Sequence, residues 1–168
     1  MKTTAQGGER GYDGGKNING RKRHVGVDPL GLLLAVVVTS AALDDAVAAP
    51  KVLAQVGRDS SPRWDVVWAD HKDHNHALNQ WSATASPGTW RLEVVRRPPG
   101  AKGFVLLPKR WVVERPFAWI GRGRRHSKDD ERHTDSSASR LRVSAIHLMR
   151  KRLKPSKVYP AFRYRVAA

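Results

Sequence analysis

The sequence predicts a mixed α/β domain, and three observations carry that prediction. Short β-branched runs (Leu32–Thr39, Trp64–Trp68, Trp90–Val95) alternate with segments of helical apolar period. Turn signals separate them, notably Asp28-Pro29-Leu30-Gly31 and Pro98-Pro99-Gly100. The length of 168 residues with 40% hydrophobic side chains fits one domain with a core of its own.

Taken in order, residues 1–20 hold six of the fourteen glycines and almost no large apolar side chain, which reads as a loop or an arm. Arg21 to Asp28 is β-like, and the Asp28–Gly31 turn returns the chain through Leu32–Thr39, a hairpin with one well-buried strand. Leu43, Val47, Val52, Leu53 and Val56 are spaced as on a helix, which Pro50 should end or kink. Trp64–Trp68 is a strand closing at Ala69-Asp70, and residues 71–89 hold at most a short helix near Ala77–Ala83. After the strand Trp90–Val95, the run Phe104–Leu107 leads into Pro108, which suits the first turn of a helix. That helix would bury Trp111, Val112, Phe117, Ala118 and Ile120, with Glu114 inside it. A last helix, about Ser137–Leu153, aligns Leu141, Ala145, Leu148 and Met149. The chain thus divides into an arm (1–20), a domain (21–153) and a basic tail (154–168).

Charge is unevenly spread. The net value is +16, yet residues 1–95 carry 11 basic and 10 acidic groups, and residues 96–168 carry 20 and 5. A basic field confined to one half attracts polyanions, with nucleic acid the foremost class and acidic membrane its competitor. Cysteine is absent, which excludes disulfides, thiolate metal sites and a cysteine nucleophile. The longest apolar run, Leu30–Leu43, has 14 residues against the roughly 20 a bilayer-spanning helix needs. A secretory leader cleaved near Ala49 is disfavoured, because the run begins late, after a Gly-rich stretch and Asp28-Pro29.

Asp70, at a strand end, and Glu114, on a later helix in the basic half, are the candidate carboxylates for metal-dependent phosphoryl transfer, since Mg²⁺ takes hard oxygen ligands. The plainer alternative is that Glu114 pairs with Arg110 one helical turn away. Asp70, His71, Asp73, His74 and His76 could ligate a transition metal, but their order fits no defensible ligand spacing and solvated loop is preferred. The six tryptophans could be stacking platforms for extruded bases, but four of them lie in apolar patterns and are expected in the core instead, with Trp81 less constrained. Two basic runs are expected to touch the DNA backbone: Arg122, Arg124, Arg125 and Lys128, and then Arg150, Lys151, Arg152, Lys154 and Lys157.

The strings RGYDGGKNINGRKRH from Arg10, GLLLAVVV from Gly31, WAD at Trp68–Asp70 and EVVRRPPGAKGFVLLPKRWVVERPFAWIGRGRR from Glu93 look like the catalytic domain of bacterial DDE-type insertion-sequence transposases, in the group named after insertion sequence five. The resemblance spans nearly the whole chain in family order. It implies an RNase H-like fold, in which three carboxylates and two Mg²⁺ ions cut and join DNA. It also implies a bacterial cytoplasmic, nucleoid-associated protein that acts on insertion-sequence ends and target DNA, alone or as an oligomer with itself or an intact transposase. By the same resemblance Asp70 matches the second catalytic acid and Glu114 the third, both as metal ligands. Arg110 matches a basic residue of the signature around Glu114, and Arg115 joins it among the expected DNA contacts.

The departures from that pattern set further expectations. The family's first acid lies in a DSQSVKTT-like string; here the chain reads Met1-Lys2-Thr3-Thr4, so that acid would fall four positions upstream of Met1 and the first strand would be lacking. Asp13 and Asp28 belong to other motifs. His71-Lys72-Asp73-His74 replaces glycines and an aromatic, Pro116 a usual Thr and Asp130 a usual Tyr. The expectation is a partly degenerate catalytic domain, marginal in stability and deficient in strand transfer, with a catalytically dead DNA-binding remnant as the alternative.

Overall fold

Asp28 closes the central hairpin. Its Oδ1 accepts hydrogen bonds from the amides of Leu30 (2.9 Å) and Leu32 (2.7 Å), and its carbonyl accepts from Gly31 N (2.8 Å). Gly31 takes a left-handed conformation (φ 77°), which a side chain rarely adopts. These details come from a computed structural model that describes residues 1–3, 8–56, 65–70, 76–85, 90–95, 98, 100, 103, 105 and 109–154. The turn sets the antiparallel register of β2 (Ile18–Val27) on β3 (Leu33–Ser40), from Arg21↔Ser40 to Val27↔Leu33.

The Gly-rich arm is more ordered than its composition suggests. Residues Gly11–Asp13 form β1, antiparallel to the start of β2, and Asp13 Oδ1 caps the connecting turn by accepting from Gly15 N (3.0 Å) and Lys16 N (3.2 Å). Glycine allows a tight turn as readily as disorder, and here the Asp13 side chain selects the turn.

Both faces of β3 are covered. Val36 and Val38 pack with Ile120, Ala138 and Leu141 of the C-terminal helices. On the opposite side, Gly26 leaves room for Val52 of α1 (Asp45–Gln55) next to Ala35. Burying each such valine is worth about 1.5–3 kcal/mol. Asp44 caps α1 through Ala46 N (3.1 Å), and the helix runs on through Pro50 rather than ending there. Pro50 forgoes one backbone bond, and the buried Ala48 and Val52 on either side hold the turn in place.

The second sheet is parallel: β4 (Val66–Asp70) pairs with β5 (Arg91–Val95) from Val66↔Arg91 to Asp70↔Val95. Parallel strands need a crossover, supplied by α2 (His76–Ala85), which is longer than expected and buries Leu78. The mixed α/β prediction therefore holds. Pro108 and the run 155–168, with Lys157, lie outside the described residues, as does most of Phe104–Leu107.

The helix α3 (Arg110–Gly121) turns inward only part of the face predicted, Ile120 and Val112, and adds Pro116 to it. Pro116 and Ile120 are buried and Val112 is half-buried, whereas Trp111 is 45% and Phe117 38% exposed. Pro116 cannot bond the Val112 carbonyl, and Gly31 closes on that point: a Cβ on Gly31 would stand 3.2 Å from Val112 O and 3.5 Å from Pro116 Cδ. The interior proline is thus part of the packing between helix and hairpin. A 3-10 turn (Arg124–His126) leads to α4 (Thr134–Leu153), whose Ala138, Leu141 and Ala145 are buried along the expected stripe.

Candidate nucleic-acid interface

The end of α3, where the first basic run begins, lies near the end of α4, which carries the second. Arg152 stacks on the ring of Trp119, 4.1 Å from its centroid, so the end of α4 lies against the end of α3. Arg122, Arg124 and Lys128, just beyond α3, and Arg150 and Lys151, in the last turn of α4, are exposed. The last-turn cations also complement the carbonyl end of the α4 dipole. Arg125 differs from its neighbours, being engaged by Asp130 (3.5 Å) and Glu131 (3.1 Å). It borders an open cavity of about 550 Å³ with His126, Asp135, Arg140 and Ser144, where Glu131 also pairs with Arg140. The acids in that cavity offset its arginines.

Along α3, Arg110 Nε donates to Glu114 Oε1 at 3.0 Å, the i, i+4 pair that spacing alone suggested, with the carboxylate two-thirds exposed. Arg115 donates to the Leu30 carbonyl (3.3 Å) and lies 3.9 Å from the Trp111 centroid. Lys109, the residue before α3, has φ 67° and places its Nζ 3.6 Å from the ring of Trp68 on β4. Trp68 in turn donates from Nε1 to Glu93 (2.8 Å). That bond first, and Arg91 second, hold the Glu93 carboxyl below its ordinary range. None of the five described tryptophans is fully buried, contrary to the core expectation. Trp68, Trp111 and Trp119 each carry a cation over the ring, and Trp90 is set against Trp81.

Asp70 closes β4, as expected; its side chain is outside the described set, as are residues 71–75 of the histidine cluster and the His76 side chain. Of the two acids expected to bind metal, Glu114 is the one whose side chain is described, and its carboxylate pairs with Arg110. Among the described residues no three His, Asp or Glu side chains gather as metal ligands. Asp13 Oδ1 and Asp28 Oδ1 each accept hydrogen bonds from turn amides.

Sequence reading missed the most buried charges. Arg21 is fully buried and donates to Asp129 Oδ2 (3.2 Å) and to the carbonyls of Glu9, Glu131 and Arg132 (2.7–2.8 Å). Asp129 also accepts from Ser137 Oγ (2.8 Å), and its amide donates to Lys2 O (3.0 Å). The hub thereby ties the N-terminal residues, β2 and the entry to α4 together. Next to it, His126 bonds Ser144 Oγ (2.6 Å); its imidazole is pushed below its usual value, first by burial and then by Arg23. On the other side of the hairpin His24 is likewise pushed down, because burial outweighs the Asp45 carboxylate 3.6 Å away.

No curated protein and no solved structure matches the chain. Among the described residues no helix is long and apolar enough to cross a membrane. The family model described as "Transposase DDE domain" does match, over residues 1–149. That match takes in the hairpin, the parallel strand pair, α3 and most of α4, and by it the chain belongs to the transposase DDE domain family.

Proposed function

We propose that this chain is a DNA-binding domain of transposition, descended from the catalytic domain of an insertion-sequence transposase, and that it grips the DNA backbone with the joined ends of α3 and α4. The observation that supports this reading is the Arg152–Trp119 contact, which sets the end of α4, with Arg150 and Lys151, beside the end of α3, from which the Arg122–Lys128 run begins. Phosphates are met there by Arg122, Arg124, Lys128, Arg150 and Lys151, and on α3 by Arg110 and Arg115. Each such neutralised phosphate releases counterions, so binding weakens steeply with salt.

In the parent scheme Asp70 and Glu114 are two of three acids that hold Mg²⁺ for cutting and joining insertion-sequence ends. The Arg110–Glu114 pair supports the alternative for this chain, a DNA-binding remnant without strand transfer that competes with an intact transposase for DNA or joins it in mixed oligomers. Binding and joining assays with and without Mg²⁺ separate the two. Salt-sensitive binding indifferent to Mg²⁺, with no joined product, is the expected result. A joined product lost in Asp70→Ala overturns it.

A further inference from the structure

A row of alternating cations and aromatic rings runs beside the Arg110–Glu114 pair. Lys109 lies over Trp68 (3.6 Å), Arg115 over Trp111 (3.9 Å) and within 5.7 Å of Trp119, and Arg152 over Trp119 (4.1 Å). Trp111, Arg115 and Trp119 follow at intervals of four residues and so form one stripe along α3, beside the inward Val112–Pro116–Ile120 stripe. Its ring surfaces are not sealed into the core, since Trp111 is 45% and Trp68 39% exposed. An exposed cation–π contact contributes about 0.5–1 kcal/mol, a modest return for leaving large indole surfaces in water.

From this row we infer a stacking site for unpaired nucleobases of single-stranded DNA; the inference rests on the DNA-binding reading above. A base offers a π face to an indole or a guanidinium, and its phosphate meets the neighbouring cations. Duplex bases are stacked on one another and present no such face, so the row selects melted or extruded segments. Trp111 and Trp119 are separated by roughly 12 Å of helix rise, the length of three to four base steps at about 3.4 Å. Arg115 is also held in advance: the Leu30 carbonyl anchors its guanidinium, and Gly31 lies against its Cδ. The surrounding Arg110 and Arg122 supply charge of the sign a nucleic acid requires, opposed among the described residues by Glu114 and, beside Trp68, by Glu93.

The test is fluorescence polarisation with a labelled oligothymidine of about 20 nucleotides and a duplex of the same length, using the full chain, Trp111→Ala and Trp111→Phe. Trp111→Ala is expected to weaken single-strand binding roughly tenfold, from the worth of one base–aromatic stack. Its duplex affinity should stay within about twofold of the parent, and Trp111→Phe should recover most of the single-strand affinity, since phenylalanine keeps a ring. Because Trp111 is exposed, circular dichroism of the alanine variant should match the parent. An unchanged single-strand affinity, or equal weakening on both DNAs, overturns the stacking site. If the parent chain binds duplex but Trp111 proves irrelevant, the stacking site alone falls; if it binds neither DNA, the DNA-binding reading falls with it.

Discussion

Arg21 and Asp129, 108 positions apart, form an ion pair with almost no exposure to water (0% and 2% of the side chains). The hub's other side-chain bonds are made by one or other of the two residues, Arg21 to the Glu131 and Arg132 carbonyls and Asp129 to Ser137. Removing one member strands a buried charge, at a cost of about 3–5 kcal/mol. Asp129→Ala should therefore lower unfolding stability by that order in urea titrations. A loss below about 1 kcal/mol, the range of exposed pairs, would show that the hub holds nothing together.

Arg110 and Glu114 form the opposite case, an exposed pair one helical turn apart. Glu114→Gln should change stability by less than about 0.5 kcal/mol, and duplex binding should not depend on Mg²⁺ in either protein. Loss of Mg²⁺-stimulated binding in Glu114→Gln would assign the carboxylate to a metal instead of to Arg110.

Gly31 stands at φ 77° against Val112 O and Pro116 Cδ. Gly31→Ala should cost about 1–3 kcal/mol, from a left-handed residue with a side chain, read as a lower midpoint of thermal unfolding. An unshifted midpoint would mean that hairpin and α3 are not in register as described.

Both His24 and His126 are held below their ordinary value, chiefly by burial. Above the unfolded value of 6.5 both states are neutral and the stability is fully present. As pH falls, the unfolded chain takes up protons first, so stability declines until the native values are passed. Urea unfolding should show less stability at about pH 5.5 than at about pH 7.5, around the reference value for histidine, with a smaller difference in His24→Gln. Stability that rises on acidification would contradict neutral burial.

Local chemistry made much of this fold legible. Asp28-Pro29-Leu30-Gly31 encodes its own turn, the β-branched runs give the strands, and the Leu141–Ala145 stripe gives α4. The inward face of α3 was hidden because Pro116 is a buried contact and the more apolar Trp111 is not; composition ranks those two the other way. The Arg21–Asp129 pair joins two charge-rich stretches, and spacing cannot show which of many charges meet. For the candidate site, the Arg110–Glu114 pair was readable from its i, i+4 spacing. The Arg152–Trp119 contact between the ends of α4 and α3 is tertiary and has no local signature.

DNA binding by the joined ends of α3 and α4 is tested most directly by duplex affinity across roughly 50–200 mM salt, for the parent chain and for Arg124→Ala combined with Arg150→Ala. The logarithm of the binding constant should fall linearly with the logarithm of salt, and the double variant should flatten the slope by about two, one per lost phosphate contact. Salt-independent binding, or a slope unchanged in the double variant, would contradict the interface.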